Sequence, residues 1–330
     1  MPRAPGGAVP PGRDDARATR GRPPRVRTAT GRRSPGEKRA PAFVPGTGAG
    51  DSGVVRAGGD VDDGPGRAPA PVAAPRHPYF DDPTGVVALA HRGFALDGRE
   101  NSLTAFGAAV DLGFRYVETD AHATSDDVAV ALHDETLDRT TDAEGLVSEL
   151  PWSVVGRALI GGVDPVPRLE DVLGTWPDLR VNVDVKSEHA IVPVADAIER
   201  TASHGRVCVT SFSAVRRRET LARLTRPVAT SAATGEVVRF LAAHRTHVPR
   251  LAARALRHVD ALQVPVAEGR VRVVDAGTVA AAHAAGRHVH VWTVNDPAEM
   301  HRLLDLRVDG LVTDRADLLR DVLRDRGTWS

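Results

Sequence analysis

From about Gly85 onward the chain alternates short apolar runs of strand length with stretches of helix length, and this alternation narrows its possible folds more than any other feature. The strand candidates are 86–91, 116–122, 179–186, 206–212, 227–233, 261–266, 288–294 and 310–314. Between them, 103–112, 191–203, 276–285 and 297–306 repeat apolar residues at helical spacing. Asp296 before Pro297 has the chemistry of an N-cap followed by a first-turn proline. Eight β runs joined by helical crossovers predict an α/β chain folded as a (β/α)₈ barrel, closed by a helix over 315–324. Aromatic residues make up only 4 % of the chain. The core must therefore be built from Val, Leu, Ile and Ala, which suits a parallel sheet buried under helices.

One run breaks the alternation. Residues 128–134 follow the second strand after only Ala123–Asp127, too few residues for a parallel crossover. Ser125, Asp126 and Asp127 are turn formers, so this segment is expected to fold back as a hairpin that returns His133 opposite Asp120. Residues 121–167 then form a small insertion above one end of the barrel.

The N-terminal part has a different texture. Residues 1–40 carry eleven basic side chains against Asp14, Asp15 and Glu37, a net charge of +8, although the whole chain balances 43 basic against 43 acidic residues. Residues 41–76 are rich in Pro, Gly and Ala and lack apolar periodicity. The expected organisation is a disordered basic tail over 1–80 and a barrel domain over 85–325. The zero net charge excludes a general electrostatic attraction to nucleic acid, so no nucleic-acid partner is expected; an RNA-binding arm in the tail is the rival reading. No stretch reaches the roughly 20 apolar residues of a membrane span. The single cysteine, Cys208, excludes an internal disulfide and any multi-cysteine metal site. A cytoplasmic protein is expected.

In such barrels the chemistry sits at the C-terminal ends of the strands. The first strand ends at His91 and Arg92, with Glu100 soon after; the second carries Glu118 and Asp120; the hairpin returns His133; the strand over 179–186 carries Asp184 and Lys186. Residues two apart on a strand share a face, so Glu118 and Asp120 stand side by side and call for a cation. Oxygen donors of this kind suit one hard divalent ion, Mg²⁺ or Ca²⁺, better than zinc. The two histidines suit proton transfer near neutral pH. Any one of these features alone is commonly structural. Their joint placement at one end of a barrel is what points to a site.

Read together, Ala90-His91-Arg92-Gly93, Glu100-Asn101-Ser102, Glu118-Thr119-Asp120 and His133-Asp134 resemble the signature of the glycerophosphodiester phosphodiesterase family. So do Leu137–Thr141 leading to Gly145, the run 291–295, and 309–314. The resemblance extends from about Val87 to Leu323. It implies metal-dependent hydrolysis of glycerophosphodiesters, such as glycerophosphocholine, to glycerol 3-phosphate and an alcohol. It also implies His91 and His133 as the acid–base pair, and Glu118, Asp120 and Asp184 as metal ligands. Arg92 and Lys186 would contact phosphate, Glu100 would lie nearby, and Trp292 would line the substrate mouth.

Some positions depart from the family pattern. Asp184 stands where Glu is usual, Ser102 where Thr is common, and Asp127 where a turn glycine is usual; Arg307 replaces a small residue. The rival functions are lysophospholipase D action on lysolipids, which would need an apolar rim (candidates Phe94, Trp152 and Trp292), and a non-catalytic barrel that binds phosphorylated ligands. A zinc hydrolase using His288 and His290 is a further rival.

Overall fold

The computed structural model describes residues 77–329. Eight parallel strands form the barrel: β1 Val87–His91, β2 Tyr116–Ala123, β3 Arg180–Val185, β4 Val207–Thr210, β5 Ala229–Thr230, β6 Ala261–Pro265, β7 His288–Trp292 and β8 Gly310–Thr313. Hydrogen bonding runs in the order β5-β4-β3-β2-β1-β8-β7-β6. Closure between β5 and β6 comes from a single parallel bridge, Ser231 to Ala261. The outer ring is α1 Leu103–Asp111, α2 Leu169–Thr175, α3 Ile191–Arg200, α4 Ala214–Leu221, α5 Thr234–Arg245, α6 Pro249–Ala255, α7 Ala276–Ala284, α8 Pro297–Asp305 and α9 Ala316–Asp325. The predicted barrel and its eight strands are therefore present. No helix among the described residues is long and apolar enough to cross a membrane.

Strand parity explains both the core and the site. In β1, Ala88 and Ala90 face the helices, whereas Val87 and Leu89 face the barrel interior, and His91 follows them on the inner face. In β3, Val181, Val183 and Val185 pack under the helices, which leaves Asn182 and Asp184 on the inner face. The helix-facing layer is almost wholly Val, Leu, Ile and Ala, as the scarcity of aromatics requires. Halfway up the interior, Gln263 Nε2 donates to Asn182 Oδ1 at 2.9 Å and lies 3.3 Å from His290 Nδ1. Gly310 makes room for His290: a Cβ there would stand 2.8 Å from the imidazole and 2.7 Å from the Val87 carbonyl.

The lower end is plugged by residues expected to lie at the end of the tail. Pro78–Phe80 is a 3₁₀ turn in which His77 Nδ1 accepts from the Tyr79 amide, and Tyr79 and Phe80 are buried in the barrel. The tail boundary at residue 80 is thus too late by these residues; positions 1–76 lie outside the described residues. Phe80 stacks on His288 at 4.4 Å. The His288/His290 pair therefore sits low in the barrel, and burial lowers the His290 pKa to about 3, which keeps it neutral. Among the described residues no group of three His, Cys, Asp or Glu side chains gathers around this pair as metal ligands.

The hairpin forms, with Ala129–Ala131 antiparallel to β2, but its register differs by one residue from the expectation. His122 pairs with Val130, and the Leu132 amide donates to the Asp120 carbonyl, so Leu132 rather than His133 lies opposite Asp120. Asp127 adopts φ +61°, the left-handed conformation that a glycine would take without strain and that Asp tolerates. The insertion has its own small core of Val130, Leu132, Leu137, Val147, Val155 and Ile160.

Candidate active site

The β1–α1 turn sets the floor of the site. Arg92 is left-handed at φ +59°, its amide donates to the Glu118 carbonyl, and its carbonyl accepts from the Asn101 amide. Gly93 at φ +84° lets this turn lie against α1, since a Cβ would approach the Ala105 backbone to 2.6 Å. Asn101 is buried and bridges two positions of β2, accepting from Thr119 Oγ1 at 2.8 Å and donating to Asp120 Oδ2 at 3.2 Å.

Inner-face parity brings Glu118, Asp120, Asp184 and Lys186 together at the C-terminal mouth. Lys186 Nζ lies 2.8 Å from Asp120 Oδ1 and 2.8 Å from Asp184 Oδ2. Arg92 Nε lies 2.9 Å from Asp120 Oδ2, and its Nη1 lies 2.9 Å from Glu100 Oε1. Burial would raise the Asp120 carboxyl, but Lys186 and Arg92 outweigh it and hold its pKa at about 2. Glu118 has no such partner: burial and the neighbouring Asp120 charge push it up to about 7. Burial also raises Asp184, and Lys186 offsets this only in part. Three carboxylates thus face two fixed cations. The Glu118 Oε2 and Asp184 Oδ1 atoms are buried without a hydrogen-bond partner. The three carboxylates do not stand as a ready-made ligand set, since Lys186 lies between Asp120 and Asp184; the negative charge left over beside unpartnered carboxylate oxygens is what suits them to a hard divalent cation.

The two expected histidines share one arrangement. His91 Nδ1 lies 2.5 Å from Asp314 Oδ1, and His133 Nδ1 lies 2.6 Å from Asp134 Oδ1. Neither Nε2 has a hydrogen-bond partner among the described residues; that of His91 lies 3.7 Å from Glu118 Oε2. Burial pulls the His91 pKa down, but the Asp314 hydrogen bond and the Glu118 charge outweigh it, so His91 titrates above its ordinary value.

Several of these supporting residues went unassigned in the sequence reading. Asp314 directly follows β8, and Asn295 holds it by donating Nδ2 to its Oδ2 at 2.8 Å and accepting from its amide at 2.9 Å. Arg139 clamps Asp134 through Nε at 2.5 Å and Glu100 through Nη2 at 2.7 Å. With the Arg139 hydrogen bond leading, the Asp134 pKa falls to about 2. His122 supports the His133 carbonyl from Nε2 at 3.2 Å. All of these except His122 lie in or beside the motifs quoted above, so their presence was visible and only their pairing was not.

Trp292 stands at the mouth on the inner face of β7, edge-to-face with Phe212 at 5.8 Å. Phe212 is 54 % exposed, and Lys186 Nζ lies 5.8 Å from its ring centre. The apolar rim therefore includes Phe212. Trp152, by contrast, packs in the insertion under Arg168, 4.7 Å from its guanidinium.

A sequence model described as the glycerophosphoryl diester phosphodiesterase family matches residues 91–318. A Mycobacterium tuberculosis protein named "Probable glycerophosphodiester phosphodiesterase 2" is 48 % identical over 246 residues, covering 74 % of this chain and 93 % of that one. Among solved structures, a glycerophosphodiester phosphodiesterase from Agrobacterium tumefaciens superposes with a TM-score of 0.60 at 24 % identity, covering 72 % of this chain and 99 % of its own. An Oleispira antarctica phosphodiesterase in complex with the product sn-glycerol-3-phosphate also gives a TM-score of 0.60, at 19 % identity, covering 72 % and 96 %.

Proposed function

This chain belongs to the glycerophosphoryl diester phosphodiesterase family and is a phosphoric diester hydrolase, and from that premise we propose a histidine-pair mechanism assisted by one divalent cation. The observation that carries it is the matched pair of imidazoles, each tied at Nδ1 to a carboxylate and open at Nε2. A carboxylate at Nδ1 fixes the tautomer and steadies the imidazolium that forms when Nε2 takes a proton. One histidine accepts the proton of the attacking hydroxyl, from water or from the substrate's own glycerol. The other donates a proton to the alkoxide leaving phosphorus, so one P–O bond forms as the other breaks. Arg92 offers a planar fork and Lys186 a point charge to the non-bridging oxygens.

Glu118, Asp120 and Asp184 are the residues we propose to hold Mg²⁺ or Ca²⁺. When bound, such a cation stabilises charge developing on the phosphoryl oxygens. Lys186 sits between Asp120 and Asp184, so binding would share those carboxylates between metal and ammonium. Glu100 acts by fixing Arg92 and Arg139, and Trp292 forms the mouth. The proposed substrates are small glycerophosphodiesters such as glycerophosphocholine and glycerophosphoethanolamine, with the cytoplasm as the place of action, resting on the sequence alone. Phosphorus NMR of glycerophosphocholine incubated with the enzyme and Mg²⁺ should show glycerol 3-phosphate as the phosphorus-containing product. Phosphocholine as the product, or an unchanged spectrum with either metal, would overturn the reading.

Phe212 gives a second reading a foothold. A quaternary ammonium stacked on its ring would meet the Lys186 ammonium, whereas an acyl chain would not. If the wall reads hydrocarbon, Phe212→Ala should lower kcat/KM on a lysophospholipid about tenfold while leaving glycerophosphocholine within about twofold. Equal losses on both substrates would remove this second reading.

A further inference from the structure

Helices α5 and α6 form a hairpin whose charge pattern the reaction does not use. Between Glu236 and Asp260 the chain holds five arginines (Arg239, Arg245, Arg250, Arg254 and Arg257), three histidines and no acidic residue. In a chain with equal numbers of acidic and basic residues, this is a strong local departure. All five arginines are exposed, and none forms an ion pair with a described carboxylate. On and beside α8 and α9 several arginines are paired, Arg302 with Glu299, Arg315 with Asp317 and Arg326 with Asp305, although Arg216 and Arg218 on α4 and Arg324 on α9 are not.

The same face carries aliphatic side chains. Val238, Val248 and Leu251 are 41–46 % exposed, although Phe240, which follows Arg239, is buried. Val238 and Arg245 lie seven residues apart on one stripe of α5, and Arg250 and Arg254 lie four apart beside Leu251 on α6. Hydrocarbon set among unpaired guanidinium groups suits an interface that offers both anionic headgroups and a shallow apolar layer. A nucleic acid would satisfy the charge but not the aliphatic side chains, and the only exposed rings there are the imidazoles of His247 and His258, with no exposed phenyl or indole for base stacking.

We propose that the α5–α6 hairpin docks this enzyme on an anionic phospholipid surface. A glycerophosphodiester is a phospholipid stripped of its acyl chains, so the reaction that supplies this substrate is an ester hydrolysis at a bilayer. Docking there holds the enzyme where its substrate is released. Each basic residue near an anionic surface strengthens adsorption roughly fivefold. Binding must weaken as salt screens the charges.

The test is co-sedimentation of the full chain with vesicles of phosphatidylcholine alone or with about one third phosphatidylglycerol, at low and high salt. The proposal expects binding to the anionic vesicles only, weakened by salt. It expects R245Q/R250Q/R254Q to lower that binding roughly a hundredfold, R245K/R250K/R254K to retain it, and both triple variants to hydrolyse soluble glycerophosphocholine at the wild-type rate. The basic segment 1–40 is the other place from which such binding could come, and the proposal expects R13Q/R17Q/R20Q to change binding less than about twofold. Absence of wild-type binding, an R245Q/R250Q/R254Q variant that binds as wild type does, loss of binding only on changing the N-terminal arginines, or capture by single-stranded RNA in preference to vesicles would each overturn the proposal.

Discussion

Asp314 shows how a residue can be visible in a sequence while its role stays hidden. It closes the motif at 309–314, yet its partner, His91, is 223 positions away, and only the pairing of β1 with β8 brings the two together. His91 and His133 were legible because each sits inside a local motif. The carboxylates that hold them were not, because a proton relay is a tertiary property. If Asp314 positions His91, Asp314→Asn should lower kcat by roughly a hundredfold, with KM and thermal stability little changed, since the amide can bond the wrong tautomer. A proportional loss of melting temperature and activity would mean that Asp314 is merely structural. Asp184 reaches Lys186 despite being one methylene shorter than the usual Glu, and it keeps Oδ1 unpartnered and available.

Strands with strict alternation, such as β1 and β3, were readable because inner and outer faces differ in chemistry. The helices after β4 and β5 were not. In α4 the buried residues are Arg217 and Thr220, so the apolar periodicity that marks a helix is missing. Arg217 instead bonds through its terminal nitrogens to Glu236 at 2.8 Å and to the Ser231 carbonyl at 2.9 Å, pairings that no pattern of spacing reveals. The hairpin register slipped by one residue for a similar reason: the turn was recognisable, but the pairing of Leu132 with Asp120 depends on how the insertion core packs. At the lower end, His283 Nε2 lies 2.7 Å from Asp309 Oδ2 and ties α7 to the start of β8. This hydrogen bond raises the His283 pKa. A raised folded-state pKa gives stability that is complete below the ordinary value of about 6.5 and lost as pH rises through the raised one. His283→Ala should therefore cost about 1 kcal/mol in denaturant titrations at about pH 5.5 and much less at about pH 9. A cost independent of pH would show that the contact acts through packing alone.

At the scale of the whole molecule, closure converts a linear list of motifs into one mouth. β1 and β8 pair directly, so the first and last motifs of the barrel meet. Every proposed site residue lies between His91 and Asp314, and the family match spans 91–318. A chain beginning at residue 77 should hence keep kcat/KM on glycerophosphocholine within about twofold, because the Tyr79–Phe80 plug is retained. A large loss would give the first 76 residues a part in catalysis. The central claim is that two carboxylate-held histidines beside a divalent-cation site carry the reaction. It is tested most directly by measuring glycerol 3-phosphate release from glycerophosphocholine by wild type, His91→Ala and His133→Ala, each with and without EDTA. The account predicts release that EDTA abolishes and metal restores, with each substitution costing roughly 10²- to 10⁴-fold. Release that persists in EDTA, or that is indifferent to either histidine, would contradict it.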